Sequence, residues 1–152
     1  MAAINSRHAA SVILLCYAGI VAAEEYHRLH QIPTKNRDPY GVPMVTPGGM
    51  ILELPKMVAA TDVLTIVNRD DSGLIFELTT FGRERHQCRI EGLAPPESEG
   101  VYVFSENEVI LRLTVLGVDR IRIEPVGKGY RNQCDALGTI ASASYTRPAA
   151  PR

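Results

Sequence analysis

This chain lacks most of the patterns that mark a specific chemistry. It has no Gly-x-Ser-x-Gly motif to expose a nucleophilic serine, and no EF-hand spacing for calcium. Its glycines form no phosphate-binding loop, because Gly127-Lys128-Gly129 is short and is not followed by serine or threonine. The sequence therefore predicts no catalytic residue, no cofactor and no metal ion.

The chain also lacks an excess of positive charge. Its formal net charge is −1, and its only lysines are Lys35, Lys56 and Lys128. Nucleic-acid binding usually needs clustered lysine and arginine with a high isoelectric point. We therefore expect no nucleic-acid partner.

No apolar run reaches the roughly 20 residues that a membrane-spanning helix needs. The longest run, Ala9–Ile20, follows Arg7 and precedes the small residues of Val21-Ala22-Ala23, which is the pattern of a secretory signal peptide. We predict that residues 1–23 are removed, which leaves no stable membrane span and a periplasmic or secreted protein. An uncleaved anchor and a lipoprotein attached at Cys16 are the alternatives.

Cysteine is scarce, and its count agrees with export. Loss of Cys16 with the leader leaves Cys88 and Cys134, which can pair in an oxidising compartment. We predict a Cys88–Cys134 disulfide. The alternative is two separate buried thiols.

Composition divides the remaining chain into three parts. Residues 24–49 hold four prolines and three glycines, which predicts an irregular lead-in with a short helical turn at Glu24–His30. Residues 50–146 are predicted to form one β domain. Residues 147–152 are rich in proline and alanine and are predicted to be a disordered tail.

The β domain is predicted from alternation of apolar and polar residues. Leu74, Phe76 and Leu78 share one face of a predicted strand, and Cys88 and Ile90 share one face of the next. Glu108–Leu116 has the strongest alternation. Short strands separated by turn signals predict an all-β fold, either an antiparallel sandwich or a small barrel or meander.

Two clusters of polar residues are candidate sites. Arg83, Arg85, His86 and Arg89 surround Cys88 and could contact a carboxylate or phosphate ligand, although a solvated loop and strand face is the favoured explanation. His27-x-x-His30 would place two imidazoles together on a helical turn, but a zinc site needs three or four ligands. We interpret these two histidines as surface residues.

The segments around the two cysteines resemble a known group of proteins. Three segments are similar to small exported bacterial β-proteins and, more distantly, to periplasmic lysozyme inhibitors. They are His86-Gln87-Cys88-Arg89-Ile90-Glu91-Gly92, Cys134-Asp135-Ala136-Leu137-Gly138 and Ser144-Tyr145-Thr146-Arg147. The resemblance covers roughly residues 74–147 and implies a compact antiparallel fold tied by disulfides. The inhibitory loop of that family has no counterpart here, so no inhibitory residue is carried over.

These observations favour an exported, non-enzymatic binding module that presents a rigid β surface to an unidentified protein or envelope component. Inhibition of a cell-wall lytic enzyme is its most specific form. A small hydrolase or metal-dependent enzyme using His86 with Asp70, Asp71 or Glu91 is a second hypothesis, and it requires these groups to meet in one pocket. A structural envelope subunit that assembles through a β edge is the third.

Overall fold

The computed structural model describes residues 22–37, 43–52, 54–127, 134 and 140–150. The predicted signal peptide, apart from Ala22 and Ala23, lies outside the described residues, as do the last two residues of the predicted tail. Within the described part, no helix is both long enough and apolar enough to cross a membrane.

The described chain is almost entirely β, as the alternation predicted. Its one helical element is a single 3-10 turn at Arg83–Arg85. The strands, in chain order, are β1 (Glu24–Arg37), β2 (Met44–Val45), β3 (Ile51–Leu52), β4 (Pro55–Asp70), β5 (Gly73–Phe81), β6 (Gln87–Ala94), β7 (Pro96–Ser98), β8 (Val101–Glu106), β9 (Val109–Val115), β10 (Arg120–Val126) and β11 (Ala143–Thr146).

Nine of these strands form one antiparallel sheet, in the order β6-β5-β4-β1-β11-β10-β9-β8-β7. Apart from the small β2–β3 hairpin, neighbouring strands follow one another along the chain, and the first strand pairs with the last. The fold is therefore a nearly closed, barrel-like meander, one of the architectures predicted from sequence.

The two edges of the sheet, β6 and β7, are joined by Pro95 alone. The carbonyl of Pro95 accepts a hydrogen bond from the Val103 amide, which ties this bend to β8. Gly92 of β6 lets the Phe104 ring of β8 approach the backbone, and this ring packs edge-to-face on Phe76 at 5.3 Å between centroids. Side-chain packing thus closes the seam that backbone pairing leaves open.

One hydrophobic core fills the interior of the sheet. It takes inward residues from β1, β4, β5, β6 and β8 to β11, and the alternation predicted for β5, β6 and β9 is confirmed. Phe76, Leu111, Ile123 and Tyr145 are among its fully buried side chains. An eight- or nine-stranded barrel has an interior that side chains can fill, so this arrangement leaves the centre packed.

Cys88 and Cys134 are bonded, as predicted, with their Cα atoms 5.0 Å apart and a sequence separation of 46. Cys88 lies on β6, and Cys134 lies in the connection between β10 and β11. The disulfide therefore links β6, an edge strand of the sheet, to the segment that connects the central strands β10 and β11.

The prediction of an irregular lead-in was wrong for residues 24–37. These residues form β1, a strand of 14 residues that pairs with β4 from Glu24 to Arg37, and the predicted helical turn is absent from it. Pro33 is tolerated because β4 is the only strand among the described residues that pairs with β1 at this position, and a strand accepts proline where one side is unpaired.

One further boundary also differs from prediction. Arg147, placed by sequence in the disordered tail, is fixed: its backbone amide bonds the Asp119 carbonyl, and its guanidinium lies 2.9 Å from the Glu24 carboxylate.

Candidate functional site

The predicted basic cluster lies at the end of the barrel where β5 leads into β6. Arg83 and Arg85 belong to the 3-10 turn, and His86 follows it. Backbone hydrogen bonds close the turn, from Gly82 to His86 and from Arg85 to Gly82. Glu84 and Arg85 hold φ values of 59° and 62°, which non-glycine residues rarely adopt. Such strain often accompanies a functional role, so this turn is a candidate binding element.

Arg85 lies between two shallow clefts. One, of about 210 Å³, is lined by Ala59, Ala60, Thr61 and Phe81 together with Arg85. The other, of about 310 Å³, is lined by Thr34, Lys35, Glu84 and His86 together with Arg85. The first cleft is smaller than the roughly 300–1,000 Å³ that is usual for small-molecule pockets, and both clefts are open to solvent, so they suit contact with a larger surface better.

Arg89 is separate from the rest of the predicted cluster. It faces outward from β6 and pairs with Glu77 at 3.1 Å and with Glu91 at 2.9 Å. Its charge is therefore balanced by two carboxylates on the sheet surface. The structure brings together Arg83, Arg85 and His86, but it does not add Arg89.

His86 does not meet the carboxylates that the enzyme hypothesis required. Asp70 and Asp71 lie at the opposite end of β5, a nine-residue strand about 30 Å long. Glu91 pairs with Arg89 on the outer face of β6. Glu84 lines the same cleft as His86, but it lies 3.1 Å from the Lys35 ammonium.

Next to this turn, the segment between β1 and β4, together with the first residues of β4, carries an unusual apolar surface. We call residues 44–52 and 54–57 the apolar arm. Seven of its side chains are large and apolar and are each 40% to 66% exposed: Met44, Val45, Met50, Ile51, Leu52, Leu54 and Met57. Three of them account for every methionine after the initiator. Exposed apolar patches of this kind mark interaction sites, and methionine lets such a surface adapt its shape.

Four cations surround the base of the arm, and we call Lys35, Lys56, Arg83 and Arg85 the basic collar. The Lys56 carbonyl accepts a hydrogen bond from the Thr34 hydroxyl, which places Lys56 beside Lys35. Glu84 connects Lys35 to the 3-10 turn, with Lys35 at 3.1 Å and Arg83 at 3.8 Å. Among the described residues, Glu84 is the carboxylate that pairs with this collar of four positive charges.

A second polar group lies inside the sheet. Asp62 is only 1% exposed and accepts three hydrogen bonds or ion pairs: from the Phe81 amide at 2.8 Å, from His30 Nε2 at 2.9 Å and from Arg28 Nη1 at 3.3 Å. Arg28 and Asp62 face each other across the β1–β4 pair. A buried carboxylate with this many partners is stabilised against the loss of water.

Tyr145 belongs to the same group. Its side chain is fully buried, and within the described residues its hydroxyl makes no well-aligned hydrogen bond, although the Arg28 guanidinium lies close to it. Burial raises the pKa of this hydroxyl, and the negative charge of Asp62 raises it further, while Arg28 acts in the opposite direction.

The sequence carried a signal for this buried group that we did not use. In β4, Asp62 alternates with Leu64 and Ile66, so its side chain had to face the apolar interior. Recognition of β1 as a strand would have placed Arg28 and His30 inward in the same way.

The two histidines of the predicted pair lie on opposite faces of β1, because strand residues three apart do not share a face. His30 faces inward to Asp62, whereas His27 faces outward and contacts Glu25. The described residues contain no cluster of three histidine, cysteine or acidic side chains placed to bind a metal ion.

Comparisons with protein-family models, with curated proteins and with solved structures find no match.

Proposed function

We propose that this protein is an exported, non-enzymatic binding module that contacts an envelope component through the apolar arm and the basic collar. One observation supports this function most strongly, namely the seven exposed apolar side chains of the arm. Water contact with so much apolar surface is unfavourable, and a partner that covers it removes this cost.

The rest of the fold agrees with a binding role. The filled interior leaves no large central cavity for a small ligand among the described residues, and the clefts beside Arg85 are shallow. The pairing of β1 with β4 holds the base of the arm in a fixed place, which reduces the ordering cost of binding.

Export is the second part of the proposal. It is supported by Ala9–Ile20 behind Arg7 and by the small residues up to Ala23. The disulfide agrees with an oxidising compartment. The mass of the native protein tests this part: a chain that starts at Glu24 supports it, whereas a chain that still starts at Met1 contradicts removal of the leader.

A retention experiment tests the role of the arm. Protein purified from the native envelope is immobilised, and detergent-free envelope membranes and extract are passed over it. We expect Ile51→Asp to lose most of the retained material, because it places a charge on the apolar arm. The matched control is Val118→Asp, since Val118 is 87% exposed in the β9–β10 loop at the opposite end of the barrel. Equal retention by wild type and Ile51→Asp would contradict the proposal.

A further inference from the structure

We infer that the partner of the apolar arm is an anionic lipid surface, into whose headgroup region the tip of the arm inserts. This inference rests on the proposed function, and it names the chemistry of the partner. Three features of the arm and its surroundings favour lipid over a protein partner.

The first feature is that both faces of the β2–β3 ribbon are apolar. Successive strand residues point to opposite faces, yet Met44 and Val45 are both exposed, and so are Ile51 and Leu52. Among the described residues, β2 and β3 pair with each other and with no other strand. A protein surface would cover one face of this ribbon, whereas lipid surrounds an inserted tip on both.

The second feature is that the turn at the tip bonds its own polar groups. The Thr46 amide donates to the Met50 carbonyl at 2.9 Å, and the Gly49 amide donates to the Thr46 carbonyl at 2.8 Å. The Met50 amide donates to the Thr46 hydroxyl at 3.1 Å. Polar backbone groups that are already bonded lose less when water is removed, which favours entry into the interfacial layer.

The third feature is the basic collar at the base of the same arm. Lys35 and Arg83 are 79% and 60% exposed, and Lys56 and Arg85 are also exposed. Cations placed behind an inserting apolar tip meet the phosphate layer of the membrane. Anionic lipids attract such cations, and salt weakens the attraction. This arrangement is the same combination of apolar insertion and cationic attraction that interfacial anchors use.

Flotation with lipid vesicles tests the inference. Purified protein is mixed with vesicles of phosphatidylcholine alone or with added phosphatidylglycerol. We expect wild type and Val118→Asp to float with the anionic vesicles. We expect Ile51→Asp to bind with an affinity about tenfold lower, because an isoleucine side chain no longer leaves water. The paired change Lys35→Gln and Lys56→Gln should weaken binding and reduce its dependence on salt.

All variants carry the same N-terminus, so a difference between them reports the arm and not any leader that remains. Thermal unfolding shows that each variant is folded, and the arm lies outside the core. If wild type fails to float with anionic vesicles, or if Ile51→Asp floats equally well, the lipid inference is overturned. Failure on vesicles together with arm-dependent retention of envelope protein would overturn the inference and leave the proposed function standing.

Discussion

Asp62 shows how a charged side chain is kept inside a small β protein. An isolated buried carboxylate is strongly unfavourable, and it persists only where charged partners and hydrogen bonds replace water. Arg28 and His30 supply these partners from β1, and the Phe81 amide supplies one from β5. These donors come from β1 and β5, the two neighbours of β4. The hydrogen bonds to Asp62 therefore also specify the order β1-β4-β5 in the sheet.

Tyr145 gives a testable consequence of the same group. We expect Tyr145→Phe to stabilise the protein by about 1 kcal/mol at neutral pH, because it removes a buried hydroxyl that makes no well-aligned hydrogen bond among the described residues. Denaturant titration measures this change. The matched control is Tyr102→Phe, which removes a hydroxyl from a half-buried side chain of β8.

The raised pKa of Tyr145 also predicts how stability depends on pH. The folded protein holds the phenol proton more tightly than the unfolded chain does, so the unfolded chain ionises first, near the ordinary value of 10.0. The contribution of Tyr145 is therefore complete below that pH and is lost as the pH rises above it. Tyr145→Phe should lose less stability than wild type in this range, and equal losses would contradict the assignment.

At the scale of the element, the strands of the second half were predictable and β1 was not. In β9 and β10, apolar residues alternate with polar ones, so one face of each strand is buried and the other faces water. The buried residues include Leu111 and Leu113 in β9 and Ile121 and Ile123 in β10. In β1 the inward residues include Arg28 and His30, which hides the alternation. The prolines of residues 24–49 also argued against a strand. Pro33 is nevertheless accepted in β1, because among the described residues only β4 pairs with β1 at that position.

The candidate site was predictable only in part, for a related reason. Arg83, Arg85 and His86 are adjacent in sequence, so their proximity needed no knowledge of the fold. The apolar arm was not predicted, because an apolar segment is a binding surface only if its side chains are exposed. That exposure is a property of the folded chain. Met50–Leu54 has the composition of a buried strand, yet the residues described there are exposed.

The closure of the seam depends on one small residue. A Cβ atom on Gly92 would lie 2.5 Å from Cε2 of Phe104, so a larger side chain must displace the ring. We expect Gly92→Val to lower the free energy of unfolding by about 1–3 kcal/mol, as overpacking in a core usually does. Urea unfolding measures the change.

The control for Gly92 is Gly48→Ala, because the nearest atom to a Cβ there is the Thr46 hydroxyl at 4.0 Å and its φ is not positive. This substitution should change stability little. If Gly92→Val also leaves the free energy of unfolding unchanged, packing of Phe104 against Gly92 does not close the barrel between β6 and β8.

At the scale of the whole molecule, the disulfide joins β6 to the connection between β10 and β11. Closing a loop of 46 residues stabilises a protein by about 4 kcal/mol in the chain-entropy model. We expect reduction to lower the unfolding free energy by about that amount, measured by urea titration with and without reductant. In the double variant Cys88→Ser, Cys134→Ser, the reductant should have no effect. An unchanged midpoint on reduction of wild type would contradict this role.

The adjacency of β1 and β11 brings residues 24 and 147 together at one pole of the barrel, where Arg147 reaches both Glu24 and Tyr26. A short peptide linker can therefore connect these two positions, and new termini can be opened at the Asp71-Ser72 turn, giving a circular permutant that keeps every strand pair. A tag or fluorescent label fused directly at residue 24 or at residue 147 is correspondingly held at the pole opposite the apolar arm.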